Sequence, residues 1–418
     1  MTGRVIVIGA GIIGATSALA LARAGWSVTL CEAAHPGSED AASYGNGGWI
    51  SPASIIPMSV PGLWRQVPGL LLDPEGALTI DWKSLPRLTP WLLRFLLSGA
   101  TKARVARTAR ILNGLLQDAP TRHLALARDT LQQHLIERKG LLYAYPDRAA
   151  FEKEAFSWGL RRDNGVAFDE WDEQKLRERL PALSSDYKFA AHVTGGAHCR
   201  DTGSYVAGIV DAAVRAGVNY VGQRIRAISG AEAPKVELAT GDTLEADYIV
   251  VAAGIGSRKL MRGLGVRVPL ESERGYHVTI SSLETPFDIP VMPSTGKMAN
   301  TPTNMGLRIS GQVELAYVEK APNWKRAEVL RRHALASYPY LNDDPNPAFR
   351  LWMGHRPSTP DGLPLIGPFT RHPRIIAAFG HGHIGIASAP KTAELVVDAV
   401  NGRVTTQSID FLPTRFGH

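Results

Sequence analysis

The sequence is poor in the features that mark several classes of protein. Its 418 residues include only two cysteines, Cys31 and Cys199, which excludes a disulfide framework and fits a reducing compartment. Its longest apolar runs fall far short of the roughly 20 residues of a membrane-spanning helix, and Arg94 interrupts the run from Trp91 to Leu97. No spacing typical of a metal site and no nucleophile with an adjacent base is present.

The charge pattern is also unremarkable. The net charge of +7 is small for this length and comes without a basic tract suited to nucleic acid, although it can favour anionic substrates or an anionic membrane surface. The first predicted strand begins almost at the first residue, so we predict no signal peptide. We expect a cytoplasmic protein that is at most peripheral to a membrane.

The first 32 residues carry a dinucleotide-binding pattern. A buried-strand run, Arg4–Ile8, leads into three spaced glycines and a small-residue helix, and a second strand ends at Glu32. In such a pattern Gly9 makes a tight turn, Gly11 lets the pyrophosphate approach, Gly14 lets helix and sheet pack closely, and the acid hydrogen-bonds a ribose. The helix N-terminus favours anionic phosphates. A glycine turn without a ligand is the alternative.

The rest of the chain predicts an α/β fold in two parts. A second βα pattern starts near residue 200, and a third, near residue 374, contains another glycine turn that opens a helix. Residues 262–353 change to alternating strands, typical of an antiparallel sheet that can cover a ligand. We therefore predict a discontinuous, Rossmann-like nucleotide domain (1–52, 196–262 and 354–418). A substrate or cap domain (53–195 and 263–353) would hold a mixed, largely antiparallel sheet with helices.

Residues 52–100 are rich in proline, leucine and tryptophan. Trp64, Trp82 and Trp91, with neighbouring leucines, favour either an amphipathic patch at a membrane interface or ordinary packing over a core. The pattern alone leaves both interpretations open.

Four blocks of the sequence carry a resemblance to a known family. They are the N-terminal pattern through Glu32, the loop 43–49, Gly354-His355-Arg356-Pro357 followed by Thr359-Pro360-Asp361-Gly362, and Gly380-His381-Gly382. Together they resemble the flavin-dependent amino-acid oxidoreductases related to D-amino-acid oxidase and glycine oxidase, most closely the bacterial D-amino-acid dehydrogenases. The resemblance implies FAD rather than NAD. Binding would be non-covalent, because neither cysteine falls where family members that bind flavin covalently carry theirs.

The resemblance also implies a set of cofactor contacts. The ADP part would lie on Gly9, Gly11, Ile12, Ile13, Gly14 and Glu32, and the pyrophosphate and flavin ring near Ala42, Ser43, Asn46, Gly47 and Gly48. Ile225, Ala253 and Gly254 are expected beside the cofactor, and Gly382, His383 and Gly385 under the pyrimidine end of the ring.

For the substrate, the resemblance assigns the carboxylate to Arg356. A guanidinium holds a carboxylate in a bidentate fork, which supports this role, and a structural salt bridge is the alternative. Arg274, Tyr276 and Arg308 fall on the predicted covering sheet, where one or two of them could line the pocket. His383 follows the second glycine turn and is expected to shape the pocket. Purely structural roles remain open for these residues.

These inferences predict the oxidative deamination of an amino acid, most of all a D-amino acid, to a 2-oxo acid and ammonia. A hydride would pass from Cα to flavin N5, and the electrons would pass to a quinone or another acceptor; an oxidase using oxygen is the near alternative. Oxidation of secondary amino acids, proline-type or N-substituted glycine-type, is the main alternative reaction. An NAD-dependent dehydrogenase of another class and a flavin protein without turnover also remain open.

Overall fold

The computed structural model describes residues 3–65, 69, 73, 75–230, 233–281, 284–344 and 348–418. Its α-helices span Ile12–Arg23, Leu85–Ser98, Lys102–Leu116, Ala119–Asp129, Arg148–Glu152, Ala155–Asp163, Glu173–Arg179, Thr202–Arg215, Ser257–Gly263, Lys325–Ser337 and Gly385–Val400. Short 3₁₀ helices span Trp82–Ser84, Gln133–Leu135, Gly254–Gly256, Pro339–Asp343, Ile409–Phe411 and Pro413–Phe416. Within these ranges no helix is both long enough and apolar enough to cross a bilayer.

A six-stranded sheet contains the N-terminal strand at its centre. The strand order is Asn219–Val221, Ser27–Cys31, Arg4–Ile8, Tyr248–Val251, His372–Phe379 and Leu365–Phe369. The first five strands are parallel and the last is antiparallel. Their apolar runs are buried because both faces of the sheet are covered.

Different elements cover the two faces of this sheet. On one face the helices Ile12–Arg23, Thr202–Arg215 and Gly385–Val400 pack in a single hydrophobic cluster with Val5 and Val7. On the other face, the alternate residues Ile6 and Ile8 pack against a small antiparallel sheet. Its strands are Ile225–Ser229, Lys235–Leu238 and Thr243–Glu245. The period-2 alternation of the first strand thus divides the core into two halves.

A nine-stranded sheet forms the second layer, which we call the cap sheet. Its order is Phe349–Ser358, Glu271–Ile280, Gly306–Leu315, Ala299–Thr303, Val291–Pro293, Leu141–Tyr145, Phe189–Val193 and Asp169–Trp171, and Leu78–Ile80 also pairs with Gly306–Leu315. Most pairs are antiparallel, with Glu273 directly opposite Arg356. A third, three-stranded sheet joins Trp49–Ile50, Ala197–Cys199 and Ile136–Glu137.

The α/β fold predicted from the sequence is confirmed, with a parallel nucleotide-type sheet built from distant parts of the chain and a largely antiparallel second sheet. The predicted domain boundaries stay a prediction, and three elements cut across them. Helices Lys102–Leu116 and Ala119–Asp129 pack into the cluster of the nucleotide-type sheet, and Phe349–Ser358 runs past residue 354 within the cap sheet. At the far edge of the cap sheet, Asp169–Trp171 is a short strand, and helix Glu173–Arg179 follows it directly.

The close approach at Gly14 generates a stability prediction. A Cβ atom there would lie 1.8 Å from the carbonyl oxygen of Gly9, which is backbone and cannot swing away. We expect Gly14→Ala to lower the free energy of unfolding by about 2–3 kcal/mol, as overpacking does. Gly114→Ala is the matched control, because a Cβ there meets nothing within 4 Å on helix Lys102–Leu116. It should be neutral or stabilise by about 0.5–1 kcal/mol. Urea unfolding of the two variants measures both; equal losses would contradict the close-packing account.

A buried histidine joins three of the packed helices. His123 is fully buried; its Nε2 donates to the Ile386 carbonyl oxygen at 2.8 Å, and its Nδ1 lies 3.0 Å from the Tyr205 hydroxyl, which can donate to the neutral ring. Burial lowers the pKa of His123 from 6.5 to about 4. His123 is therefore neutral in the folded protein over a pH range in which it is protonated in the unfolded chain.

This difference predicts a loss of stability in acid. Because the unfolded state binds the extra proton, the free energy of unfolding should fall as the pH drops from about 6.5 towards about 4. His123 alone would contribute on the order of 3 kcal/mol of that fall. Urea unfolding at a series of pH values should show a shallower dependence for His123→Gln than for the unmodified protein. An identical pH dependence of the free energy of unfolding in both proteins would show that His123 does not cause the loss of stability in acid.

Candidate active site

The N-terminal corner has the geometry of an anion site. Gly9 adopts φ +100°, a left-handed conformation that turns the chain from the strand into helix Ile12–Arg23. Gly11 lies at the helix N-cap in an extended conformation. In the described part of the chain, the backbone N–H groups of Gly11, Ile13 and Gly14 have no hydrogen-bond partner. Such free donors at a helix N-terminus suit the phosphates of a dinucleotide.

Glu32 closes this corner at the end of the second strand. One carboxylate oxygen accepts from the Ala10 N–H at 3.0 Å, and the other accepts from the N–H groups of Ala33 at 2.7 Å and Ala34 at 3.2 Å. These bonds fix the carboxylate beside the glycine turn, where the sequence predicts a ribose contact. Further lone pairs on both oxygens remain for a hydroxyl.

The loop of residues 43–48, which we call the flavin loop, connects the two glycine turns. The Ser43 hydroxyl accepts from the Ile12 N–H at 3.0 Å, so the loop begins on the first turn. The Asn46 side chain accepts from the Gly48 N–H at 2.9 Å and donates to the His383 carbonyl oxygen at 3.4 Å, so it also reaches the second turn. Ala42 is half-buried just before the loop. The structure thus brings together both glycine turns that the sequence assigned to one cofactor.

The second turn precedes helix Gly385–Val400. Gly382 has φ +52°, and its N–H donates to the Pro357 carbonyl oxygen at 2.8 Å, which ties the turn to the end of the Arg356 strand. At Gly254, on a neighbouring strand end, φ is +54° and a Cβ would meet nothing within 4 Å, so this edge is open. Ile225 and Ala253 pack in the cluster behind the sheet edge. Gly9, Glu32, Gly254 and the second glycine turn follow the carboxyl ends of parallel strands, where open α/β sheets bind ligands, whereas Ile225 is buried in the small antiparallel sheet.

Arg356 is held without a carboxylate partner. Its Nη1 donates to the Gln312 carbonyl oxygen at 2.9 Å and its Nη2 to that of Gly311 at 3.3 Å. The guanidinium crosses Gly275, where a Cβ would lie 2.4 Å from Cζ. Across the described ranges no Asp or Glu oxygen lies within 4.0 Å of it. Burial lowers the pKa of Arg356 below its usual range, and the negative charge of Glu273 opposes that effect.

Glu273 is the site residue that sequence analysis missed. It is buried, and burial raises the pKa of its carboxyl while Arg356 opposes the rise. It lines a crevice together with Met58, Phe95 and His383, between the Arg356 strand and the second glycine turn. The only signal for it is its place beside Arg274 in the polar run Glu271-Ser272-Glu273-Arg274.

His383 lines this crevice, and its side chain is exposed there. Partial desolvation by the crevice walls and the positive charge of Arg356 lower the pKa of its ring from 6.5 to about 4. His381, in the same turn, is buried with its Nε2 3.1 Å from the Thr392 hydroxyl, and burial lowers its pKa to about 3. The described residues that line the crevice include no arginine or lysine, and the positive charge that acts on His383 comes from Arg356 beside it.

Arg274 and Tyr276 lie on the opposite face of their strand. Both contact Glu314: Arg274 Nη1 lies 3.2 Å from its Oε2, and the Tyr276 hydroxyl donates to the same oxygen at 2.5 Å. Arg274 also donates to the Lys320 carbonyl oxygen at 2.8 Å. Strand pleating explains this, because alternate residues face opposite sides and Glu273 and Gly275 occupy the crevice side. The structure does not bring Arg274 or Tyr276 to the crevice.

Arg308 is buried against the flavin loop rather than in the crevice. Its Nη1 donates to the carbonyl oxygens of Tyr44 at 3.0 Å and Asn46 at 3.1 Å, and to the Thr202 hydroxyl at 3.2 Å. Burial lowers the pKa of Arg308 below its usual range. The guanidinium therefore contacts the loop that the sequence places around the cofactor.

Comparison with known proteins identifies the family. The family model described as FAD dependent oxidoreductase matches residues 4–399. A D-amino-acid oxidase of Bradyrhizobium diazoefficiens is 44% identical over 416 residues, covering 99% of this chain and 98% of that protein. A D-amino acid dehydrogenase of a Methylobacterium species is 30% identical over 417 residues, covering 96% of each.

A solved structure supports the same fold. Glycine oxidase from Geobacillus kaustophilus superposes with a TM-score of 0.74 at 20% sequence identity and covers 99% of both chains. FAD is the cofactor of the matched family, and the free N–H groups beside Glu32 fit a dinucleotide. The chain belongs to the family of FAD-dependent oxidoreductases.

Proposed function

We propose that this protein oxidises a D-amino acid to the 2-oxo acid and ammonia. The guanidinium of Arg356 carries this proposal, because it donates hydrogen bonds to neutral carbonyl oxygens and no carboxylate of the described residues lies within 4.0 Å of it. The names of the relatives at 44% and 30% identity support a D-amino acid as the substrate.

In this proposal the residues of the crevice bind and orient the substrate. Arg356 holds the carboxylate in a bidentate fork, and the uncharged His383 leaves that guanidinium without a competing cation beside it. Met58 and Phe95 contribute an apolar wall that reduces water contact with the reacting centre. When bound, FAD supplies the acceptor for the hydride leaving Cα. The resulting imine is released and hydrolysed to the 2-oxo acid and ammonia.

The main alternative is a secondary amino acid substrate on the same fold. It would use the same carboxylate contact and differ in the group on nitrogen. A panel of D-, L- and N-substituted amino acids, mixed with the purified flavoprotein without oxygen, separates the two reactions. Bleaching of the flavin by D-amino acids supports the proposal, whereas bleaching only by proline-type or N-substituted substrates favours the alternative.

The role of Arg356 is tested by a pair of variants. Loss of two charge-assisted hydrogen bonds in Arg356→Met should raise the KM for the amino acid about a hundredfold while FAD stays bound. The control Glu273→Gln removes the neighbouring carboxylate but keeps the guanidinium, so binding of a plain carboxylate such as benzoate should be unchanged or tighter. Steady-state kinetics and benzoate titration of the flavin spectrum provide the readouts. An unchanged KM in Arg356→Met would remove the basis of the proposal.

We further propose that the electron acceptor is a quinone reached at a membrane surface. On helix Leu85–Ser98, Leu93 and Leu97 are 56% and 58% exposed on one face, Trp82 just before it is 65% exposed, and the cations Lys83 and Arg94 are exposed beside them. The same helix contributes Phe95 and Ser98 to the crevice. An exposed apolar face with flanking cations is typical of a peripheral membrane contact. Of the predicted patch 52–100, residues 66–68, 70–72 and 74 lie outside the described part.

Vesicle binding tests this contact. The protein should sediment with vesicles containing anionic lipid, and the double variant Leu93→Ser/Leu97→Ser should bind severalfold more weakly, because apolar area is lost. Leu131→Ser, which changes a leucine 76% exposed elsewhere, is the control and should bind as the unmodified protein does. Stoichiometric hydrogen peroxide formation in air, with no quinone and no vesicle binding, would instead support the oxidase.

A further inference from the structure

Every carbonyl group of the flavin loop from Tyr44 to Gly48 accepts a hydrogen bond from the surrounding protein. The donors are Arg308 and the Thr202 hydroxyl for Tyr44, His277 for Gly45, Arg308 for Asn46, the Thr301 hydroxyl for Gly47 and the Cys199 N–H for Gly48. Five consecutive carbonyls are thus directed into the protein. Arg308 is the donor that bonds two of them.

The guanidinium of Arg308 makes these bonds in an unusual environment. The residue is 1% exposed, and in the ranges that the structure describes no carboxylate lies within 4.0 Å of it. A buried, unpaired guanidinium is costly unless its bonds are strong and needed. A single nitrogen, Nη1, bonds both Tyr44 and Asn46, so one side chain fixes two alternate peptide groups.

The geometry of the peptide group determines where the N–H groups next to these two carbonyls point. In a trans peptide the N–H points opposite to the C=O of the same unit. The carbonyls of Tyr44 and Asn46 share their peptide units with the N–H groups of Gly45 and Gly47. Because Arg308 holds both carbonyls on its own side, it turns both of these N–H groups away from itself.

Between Tyr44 and Gly48, these two N–H groups are the ones without partners in the described structure. The N–H groups of Tyr44, Asn46 and Gly48 donate to Ala41, Ser43 and the Asn46 side chain, respectively. Those of Gly45 and Gly47 have no acceptor in the described structure, although Gly45 is buried. A buried backbone N–H requires an acceptor, so a ligand atom is the natural partner.

We propose that Arg308 is a positioning residue for FAD: by holding the Tyr44 and Asn46 carbonyls, it directs the Gly45 and Gly47 N–H groups towards acceptor atoms of the flavin ring. The ring is the appropriate part of FAD because Asn46 also bonds His383 in the second glycine turn, whereas the phosphate donors lie at the first turn. This role replaces the substrate contact predicted for Arg308. It does not depend on which amino acid is oxidised.

The test uses a matched pair of arginines. Arg177 donates to the carbonyl oxygens of Leu183, Ser184 and Tyr187, so it also fixes a loop through its carbonyl groups. That loop is far from the flavin loop in the sequence and lies beside the cap sheet. Arg308→Met and Arg177→Met should both lower the melting temperature of the apoprotein. The Kd for FAD, measured by quenching of flavin fluorescence, should rise about tenfold or more in Arg308→Met and stay within twofold in Arg177→Met.

The flavin midpoint potential provides a second readout without substrate. Hydrogen-bond donors at the ring stabilise the more negative reduced flavin, so the potential of Arg308→Met should become more negative, and that of Arg177→Met should not change. Arg308→Lys, whose ammonium is a point charge rather than a fork, should give intermediate values and covers the case in which Arg308→Met does not fold. Measurements on FAD alone separate this proposal from the assignment of the substrate.

Three results would overturn the proposal. Unchanged Kd and potential in both Arg308 variants would leave it a purely structural residue. A raised Kd with an unchanged potential would place the loop's donors away from the ring. Normal FAD binding with a KM for the amino acid raised about a hundredfold would return Arg308 to the substrate.

Discussion

The site depends on close backbone and side-chain approaches that only glycine permits. At Gly14 the helix lies directly against the Gly9 carbonyl, and at Gly275 the guanidinium of Arg356 crosses the strand where a side chain would otherwise stand. The first approach places free N–H donors at the sheet edge. The second lets a long cation on one strand reach the carbonyls of another, two strands away. The free N–H groups of the first glycine turn and the position of the Arg356 guanidinium therefore both depend on a glycine.

The distribution of charge among the buried arginines separates their roles. The Glu314 carboxylate neutralises the charge of Arg274, and this ion pair is buried in the cap sheet. Arg308 and Arg356 are bonded only by neutral oxygen atoms, so each keeps its charge in a poorly solvated place. One contacts the flavin loop and the other lies beside the crevice. A flavin that gains negative charge on reduction and a substrate that carries a carboxylate are the partners this arrangement suits.

The sequence carries more local signals for the glycine turns than for the crevice. Glycines with fixed spacing, apolar parallel strands and Glu32 are local signals, and each lies where local rules predict. The strand Glu271–Ile280 carries polar residues on both faces, so its pattern does not reveal which alternate set faces the crevice. The sequence analysis named Arg274 and Tyr276 as residues that could line the pocket, whereas the alternate residues Glu273 and Gly275 lie on the crevice side of the strand. Long-range contacts such as those of Arg308 with Tyr44 and Asn46, 264 and 262 residues apart, have no local signature.

The central claim is that both glycine turns and the flavin loop surround one FAD whose ring faces the Arg356 guanidinium. A crystal structure of the holoprotein with a bound carboxylate inhibitor tests it most directly. We predict one FAD per chain, with its phosphates at Gly11–Gly14, its ring between the flavin loop and the Gly380–Gly385 turn, and the inhibitor carboxylate on Arg356. A flavin bound elsewhere, or a carboxylate held by another residue with Arg356 directed away from the ring, would contradict the account.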